Sequence, residues 1–138
     1  MTPPVPPPRP VLEGTTAAFY DFCRRGELRF QRCSTCGAWR HPPRVLCAVC
    51  GSPRWAWEPS SGRGQVFSWT VVHQPMHPAF ASAVPYAVLV VETTEGVRLV
   101  SNLVDAGPEL LRLGLPVEVA YERIDDELTL PMFRPSDA

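Results

Sequence analysis

Two Cys-x2-Cys pairs, Cys33/Cys36 and Cys47/Cys50, stand ten residues apart and constrain this chain more than any other feature. Each pair forms a tight turn that aims two thiolates at one point. Two such turns supply four sulfurs in a tetrahedron, a geometry zinc accepts. Gly37 and Gly51 follow the second cysteine of each pair, where a turn needs positive φ. With sulfur at all four positions, no coordination place remains for water or substrate, so the expected ion is structural. Four thiolates also suit iron; zinc is the expectation because nothing hints at a redox partner. Residues 27–58 are too few to bury a stabilising core. A structural zinc contributes roughly 10–16 kcal/mol in small peptides, comparable with the whole stability of a domain, about 5–15 kcal/mol. Cys23 has no partner in this pattern and is expected as a buried core thiol.

Around the cysteines the chain divides into three parts: a proline-rich tail or linker over 1–14, a helix plus zinc ribbon over 15–58, and a barrel over 59–138. The helix is expected from Thr15 to Arg25, capped by Thr15 or Thr16 and ended by Gly26. Phe19, Phe22 and Cys23 share one face. Leu28 to Gln31, Trp39 to His41 and Trp55 to Glu58 are expected as the short ribbon strands. Gln65 to His73, Tyr86 to Glu92, Val97 to Leu103, Val117 to Arg123 and Leu128 to Phe133 are rich in Val, Leu and aromatics and predict strands. Glu95-Gly96 makes a tight connection, and Pro108 to Leu113 a short helix. Five strands with a helix between the third and fourth match the OB-fold order. The fold class is therefore mainly β: an N-terminal helix, a ribbon, then a five-stranded OB-fold barrel.

Charge separates the two halves. All 13 basic residues are arginine; residues 1–58 carry a net +4 and residues 59–138 a net −5. Zinc ribbons and OB-folds both bind nucleic acid, which is the alternative reading. Single-strand binding, however, needs a basic groove with stacking aromatics, and the barrel half is acidic; no nucleic-acid partner is expected. The longest apolar stretch, Ala83 to Val91, is too short to span a bilayer. No secretory signal is visible, so the expected location is the cytoplasm, where thiols stay reduced. No nucleophile–base motif is recognisable, and Gly62-x-Gly64 precedes a strand rather than a helix, so it fails as a phosphate loop. Asp125, Asp126 and Glu127 read as a solvated turn. A long loop after the first barrel strand holds His73, Pro75, Met76, His77, Pro78 and Phe80. Its prolines forbid a regular helix. Contact with a partner or ligand is expected of it, with His73, Met76, His77 and Phe80 as the candidate residues.

Several stretches together resemble one family: Phe19 to Phe22 with Gly26-Glu27-Leu28, Gln31-Arg32-Cys33, Pro42-Pro43-Arg44, Cys47 to Ser52, Gly62-Arg63-Gly64, Trp69 to His73, Leu113 to Val117, and Leu128 to Pro135. The pattern is similar to the acyl-CoA-associated family with a rubredoxin-like zinc ribbon and an OB-fold, long catalogued as a domain of unknown function. It covers about residues 17–135, leaving the proline-rich tail outside. The resemblance implies a non-catalytic accessory subunit in a hetero-oligomer. Its partner would be a thiolase-like or lipid-transfer-type enzyme subunit, with a hydratase-like domain as a further associate. The complex would act as an aldolase or thiolase on sterol or fatty acyl-CoA side chains. A CoA ester is the implied ligand. Arg40, Arg44 and Arg54 are the candidates for its phosphates, since guanidinium pairs with phosphate in two parallel hydrogen bonds.

Overall fold

The computed structural model describes residues 5–137. The first four residues of the expected tail lie outside that range. One helix, α1 (Gly14–Arg24), precedes a ribbon of three strands, β1 (Arg29–Cys33), β2 (Trp39–Arg40) and β3 (Trp55–Pro59). Five more strands follow: β4 (Arg63–Val72), β5 (Tyr86–Thr93), β6 (Arg98–Asn102), β7 (Pro116–Arg123) and β8 (Thr129–Pro135). Every strand end falls within two residues of its expected position. The helix differs at its start. Its cap is Glu13, which has the extended backbone a cap requires (φ −133°, ψ 148°) and makes no side-chain cap bond. Thr15 and Thr16 lie inside the first turn, where they cannot cap. Gly26 ends the helix as expected, at φ +76°, with its N–H donating to the carbonyl of Cys23 at 2.9 Å.

The ribbon sheet has the order β2-β1-β3, with Gln31 opposite Arg40 and Trp57. Strand β2 is only two residues long because Pro42 and Pro43 follow His41 and lack amide donors. The second sheet has the order β6-β5-β4-β7-β8. A parallel bridge between Leu103 and Phe133, with Val104 N–H donating to the Phe133 carbonyl at 2.8 Å, brings its two edges together into a nearly closed barrel. Strand β5 alternates strictly, with Ala87, Leu89, Val91 and Thr93 turned inward. In β4 the pairing with β5 slips at Phe67, an extra residue that bends the strand. Gly64 allows that strand to cross close to β5: a Cβ there would meet the Glu92 carbonyl at 2.5 Å.

The expected helix over Pro108 to Leu113 is one 3₁₀ turn, Pro108–Leu110. Leu111 is extended and packs against the core, which ends the turn; so short a helix has too few hydrogen bonds to hold itself. A single apolar cluster runs through the whole molecule. Phe19 and Cys23 from α1, Leu28 and Phe30 at the start of the ribbon, and Val66, Leu89, Val117 and Phe133 of the barrel belong to it. The Cys23 thiol is 1% exposed, and burial pushes its pKa up to about 12, so it is an inert core group. Among the described residues, no helix is long and apolar enough to cross a membrane.

Candidate functional site

The two cysteine turns are built alike. The Cys33 N–H donates to the Ala38 carbonyl (2.8 Å) and its own carbonyl accepts from Gly37 N–H (2.9 Å). Cys47 repeats this with Ser52 (3.0 Å) and Gly51 (2.8 Å). Both glycines carry positive φ, +78° and +77°, as the closing residue of such a turn demands. Amide donors also point at the sulfurs. Cys36 N–H lies 3.5 Å from Cys33 Sγ, and Val49 N–H 3.4 Å from Cys47 Sγ. The first draws the Cys33 thiol down to about 6. The amides of Cys50 and Val49 lower that of Cys47. Both shifts favour the thiolates a metal needs, while burial and hydrogen bonds with the neighbouring cysteines push the Cys36 thiol up to about 11, so the bound cation is what makes the fourfold thiolate set favourable.

All four Sγ atoms lie within 4.8 Å of one another, with Cys33–Cys50 and Cys36–Cys47 each at 3.6 Å. Four sulfurs about 2.3 Å from a tetrahedral zinc stand about 3.8 Å apart, so the set fits that ion closely. Among the described residues this is the one assembled group of three or more candidate metal-ligating side chains. His73 and His77 join no such group. Cys33 and Cys47 are buried and Cys36 and Cys50 exposed, so the ion would sit at the outer end of the ribbon.

The arginines near the metal site separate into two kinds. Arg32 donates from Nε to the Gly37 carbonyl (3.0 Å) and stacks on Trp39, 4.9 Å from the ring centre. Arg40 donates from Nε to Gln31 Oε1 (2.8 Å) and from Nη2 to the Arg44 carbonyl (2.8 Å). These two are structural. The guanidinium groups of Arg44 and Arg54 make no ion pair or hydrogen bond among the described residues. Arg40 and Arg44 line a groove with Trp39, His41 and Arg98, between the ribbon edge and the β5–β6 hairpin; Arg54 stands apart from it.

Sequence reasoning missed Gln31. It is 1% exposed, and its Oε1 accepts from both Arg40 Nε and the Arg44 amide, tying β2 and the following segment to β1. No local signal marked it, because β1 reads Arg-Phe-Gln-Arg-Cys and mixes polar with apolar residues throughout. It also missed Glu95, whose carboxylate accepts from the Ser60 and Ser61 hydroxyls and fastens the ribbon–barrel junction to the β5–β6 turn.

In the loop between β4 and β5, Pro78–Phe80 forms a 3₁₀ turn capped by His77, whose Nδ1 accepts from Ala79 N–H at 3.0 Å. Phe80 lies edge-on to His77 and packs 5.9 Å from Tyr86. Met76, in contrast, is 86% exposed, and His73 is exposed as well. The expected solvated turn is found at Asp125 to Glu127, all exposed. Arg9 of the proline-rich segment reaches it, 2.6 Å from Asp125 Oδ2, and this guanidinium with the Glu127 and Leu128 amides holds the Asp125 carboxyl down at about 2.

Residues 21–56 match the family described as "ChsH2, rubredoxin-like zinc ribbon domain", and residues 57–122 the one described as "ChsH2, C-terminal OB-fold domain". The chain is 44% identical, over 94% of its length, to a "Probable enoyl-CoA hydratase alpha subunit" of Thermomonospora curvata. It is 39% identical, over 82% of its length, to the "3-oxo-4,17-pregnadiene-20-carboxyl-CoA hydratase alpha subunit" of Mycobacterium tuberculosis. It spans only 40% and 35% of those two proteins. Among solved structures it superposes on a chain of "Ltp2-ChsH2(DUF35) aldolase" with a TM-score of 0.83 and 44% identity, covering 92% of this chain and 98% of that one.

Proposed function

The chain belongs to the ChsH2 family, in which a rubredoxin-like zinc ribbon is joined to a C-terminal OB-fold domain, and on that premise we propose that it is a non-catalytic accessory subunit docked on a thiolase-like acyl-CoA enzyme. The observation that carries this reading is the likeness to a chain of the Ltp2–ChsH2(DUF35) aldolase, matched over nearly its full length. The complex would cleave or process the side chain of a steroid or fatty acyl-CoA ester in the cytoplasm. A hydratase-like domain is a further associate, in keeping with the hydratase alpha subunits that the chain matches in part.

Within the complex, zinc held by Cys33, Cys36, Cys47 and Cys50 supplies structural rigidity and no reactive position. The reacting groups then belong to the partner. The chain's own task is positioning. Arg44 and Arg54, whose guanidinium groups have no partner among the described residues, are suited to the phosphates of the CoA ester, and Arg40 fixes the Arg44 backbone. The loop carrying His73, Met76, His77 and Phe80 extends from a stiff base at Val72 toward the partner, and its prolines reduce the entropy lost on docking. Because Phe80 rests on Tyr86, the exposed Met76 is the cleaner probe of that contact.

Co-expression with the thiolase-like subunit of the same host tests the proposal. A stable hetero-oligomer that cleaves an acyl-CoA substrate is the expected result, with no turnover by this chain alone. Turnover by the pure chain, or its failure to co-purify with that subunit, would overturn it. Met76→Ser should weaken assembly several-fold while leaving the melting temperature of the isolated chain in place.

A further inference from the structure

The outer end of the ribbon presents aliphatic side chains to solvent where the fold gives no reason for them. Val45 is 78% exposed, Leu46 54% and Val49 76%, all within five residues around Cys47. None belongs to the core cluster or packs against it. The backbone there is fixed by the Cys47–Ser52 and Gly51–Cys47 hydrogen bonds, and the sulfurs of Cys47 and Cys50 belong to the metal set. The tip is therefore rigid before any contact is made, so little conformational freedom is lost when it is covered. Scattered apolar residues on a surface are ordinary; three together on a rigid projection mark an interaction site.

Charge decides what covers it. From Leu28 to Trp57 the chain has five arginines and no carboxylate, and of these Arg29 is paired with Glu27 at the ribbon base. Four thiolates and a zinc ion offset two of the four remaining charges, so the ribbon end stays net positive. Two copies meeting tip to tip would press like charges together, which disfavours a self-complementary contact. An apolar hollow rimmed by carboxylates fits both the side chains and the charge.

We propose that Val45, Leu46 and Val49 form an apolar plug that seats in an apolar, acid-rimmed hollow of the thiolase-like subunit. The inference rests on the docking reading above and adds a second contact, on the ribbon, to the one made by the β4–β5 loop. It is tested on the full chain with the double substitution Val45→Ser and Val49→Ser, both at exposed positions. Zinc content and melting temperature of the isolated chain should match those of the unsubstituted protein. Affinity for the purified thiolase-like subunit, measured by calorimetry, should fall at least tenfold, and affinity of the unsubstituted chain should fall as salt rises. Equal affinity of the two forms would overturn the plug while leaving the docking reading intact. No binding by the unsubstituted chain would overturn the docking reading and the plug with it. A homodimer of the unsubstituted chain, abolished by the two serines in light scattering, would assign the plug to a second copy and overturn the partner named here.

Discussion

In the barrel, Leu89, Val91, Val117 and Phe133 are wholly shielded from solvent, whereas between Ser34 and Ala56 of the ribbon only Cys47 is buried. The two regions solve the same problem by different means. The barrel removes apolar area from water, at about 25 cal/mol per Å². The ribbon cannot do so with the residues it has, and an ion bound by four sulfurs takes the place of a core. The difference sets what each surface is free to do. The ribbon's Val45, Leu46 and Val49 are not needed inside and remain available outside. The barrel's inward positions have no such freedom, and only its loops, edges and outward side chains remain exposed.

Metal removal should break the comparison most sharply. In Cys36→Ser, or on chelation, the ribbon loses binding energy on the order of 10 kcal/mol that is also its folding energy. Fluorescence of Trp39, Trp55 and Trp57 should report unfolding of the ribbon, while amide signals of β4 to β8 persist with a lowered melting temperature. A fully folded ribbon in the metal-free protein would refute a structural ion, and a stoichiometric metal other than zinc would refute its identity.

The barrel responds instead to cavities. Phe133→Ala should cost about 3–5 kcal/mol, read as a shift in denaturant midpoint. Phe30→Ala sharpens the comparison, because Phe30 is a ribbon residue that shares the barrel's core. A comparable loss, felt in the midpoint of the barrel as well as of the ribbon, is expected. An unchanged barrel midpoint in that variant would show that the cluster does not couple the two regions.

His41 lies on the seam, between the rings of Phe19 (4.9 Å) and Phe30 (5.2 Å). Burial lowers its pKa from 6.5 to about 4. The unfolded chain therefore binds the proton more readily than the folded one. Stability contributed by the neutral ring is complete above pH 6.5 and is lost as pH falls toward about 4. The full loss is about 3 kcal/mol at 1.36 kcal/mol per pKa unit. Acid also strips zinc from thiolates, so the measurement is the difference in midpoint between the protein and His41→Phe. That difference should grow in favour of the variant from pH 7 to pH 5; a constant difference would refute the assignment.

The smallest effect belongs to the tail. Asp125→Asn should leave the melting temperature unchanged within error and make residues 5–13 more susceptible to proteolysis, since Arg9 loses its carboxylate. With its pKa depressed to about 2, Asp125 keeps the pair down past pH 3, and a carboxyl titration near 4 by NMR would contradict the contact.

Much of the fold could be read along the chain. The four cysteines, the two closing glycines and the alternating barrel strands are local patterns, because a turn or a strand is dictated by residues a few positions apart. Where an element depends on distant packing, the reading was off. The 3₁₀ turn at Pro108–Leu110 is short because Leu111 is drawn to the core, and the helix cap is Glu13 because backbone geometry, not side-chain preference, set its position. Of the arginines weighed for phosphate, only the structure separates Arg40, held by Gln31 and the Arg44 carbonyl, from Arg44 and Arg54, whose guanidinium groups have no partner among the described residues.

By itself, then, the sequence determined the metal-ligand set, the order of strands and the division of charge, all of which follow from residue type and spacing. Tertiary structure alone decided three further things. It joined Phe19, Phe30 and Phe133 in one core, it drew Arg9 to Asp125 across 116 positions, and it left Val45, Leu46 and Val49 uncovered. The reason is physical: burial and pairing depend on which surfaces the chain brings together, and no local pattern fixes contacts between residues so far apart.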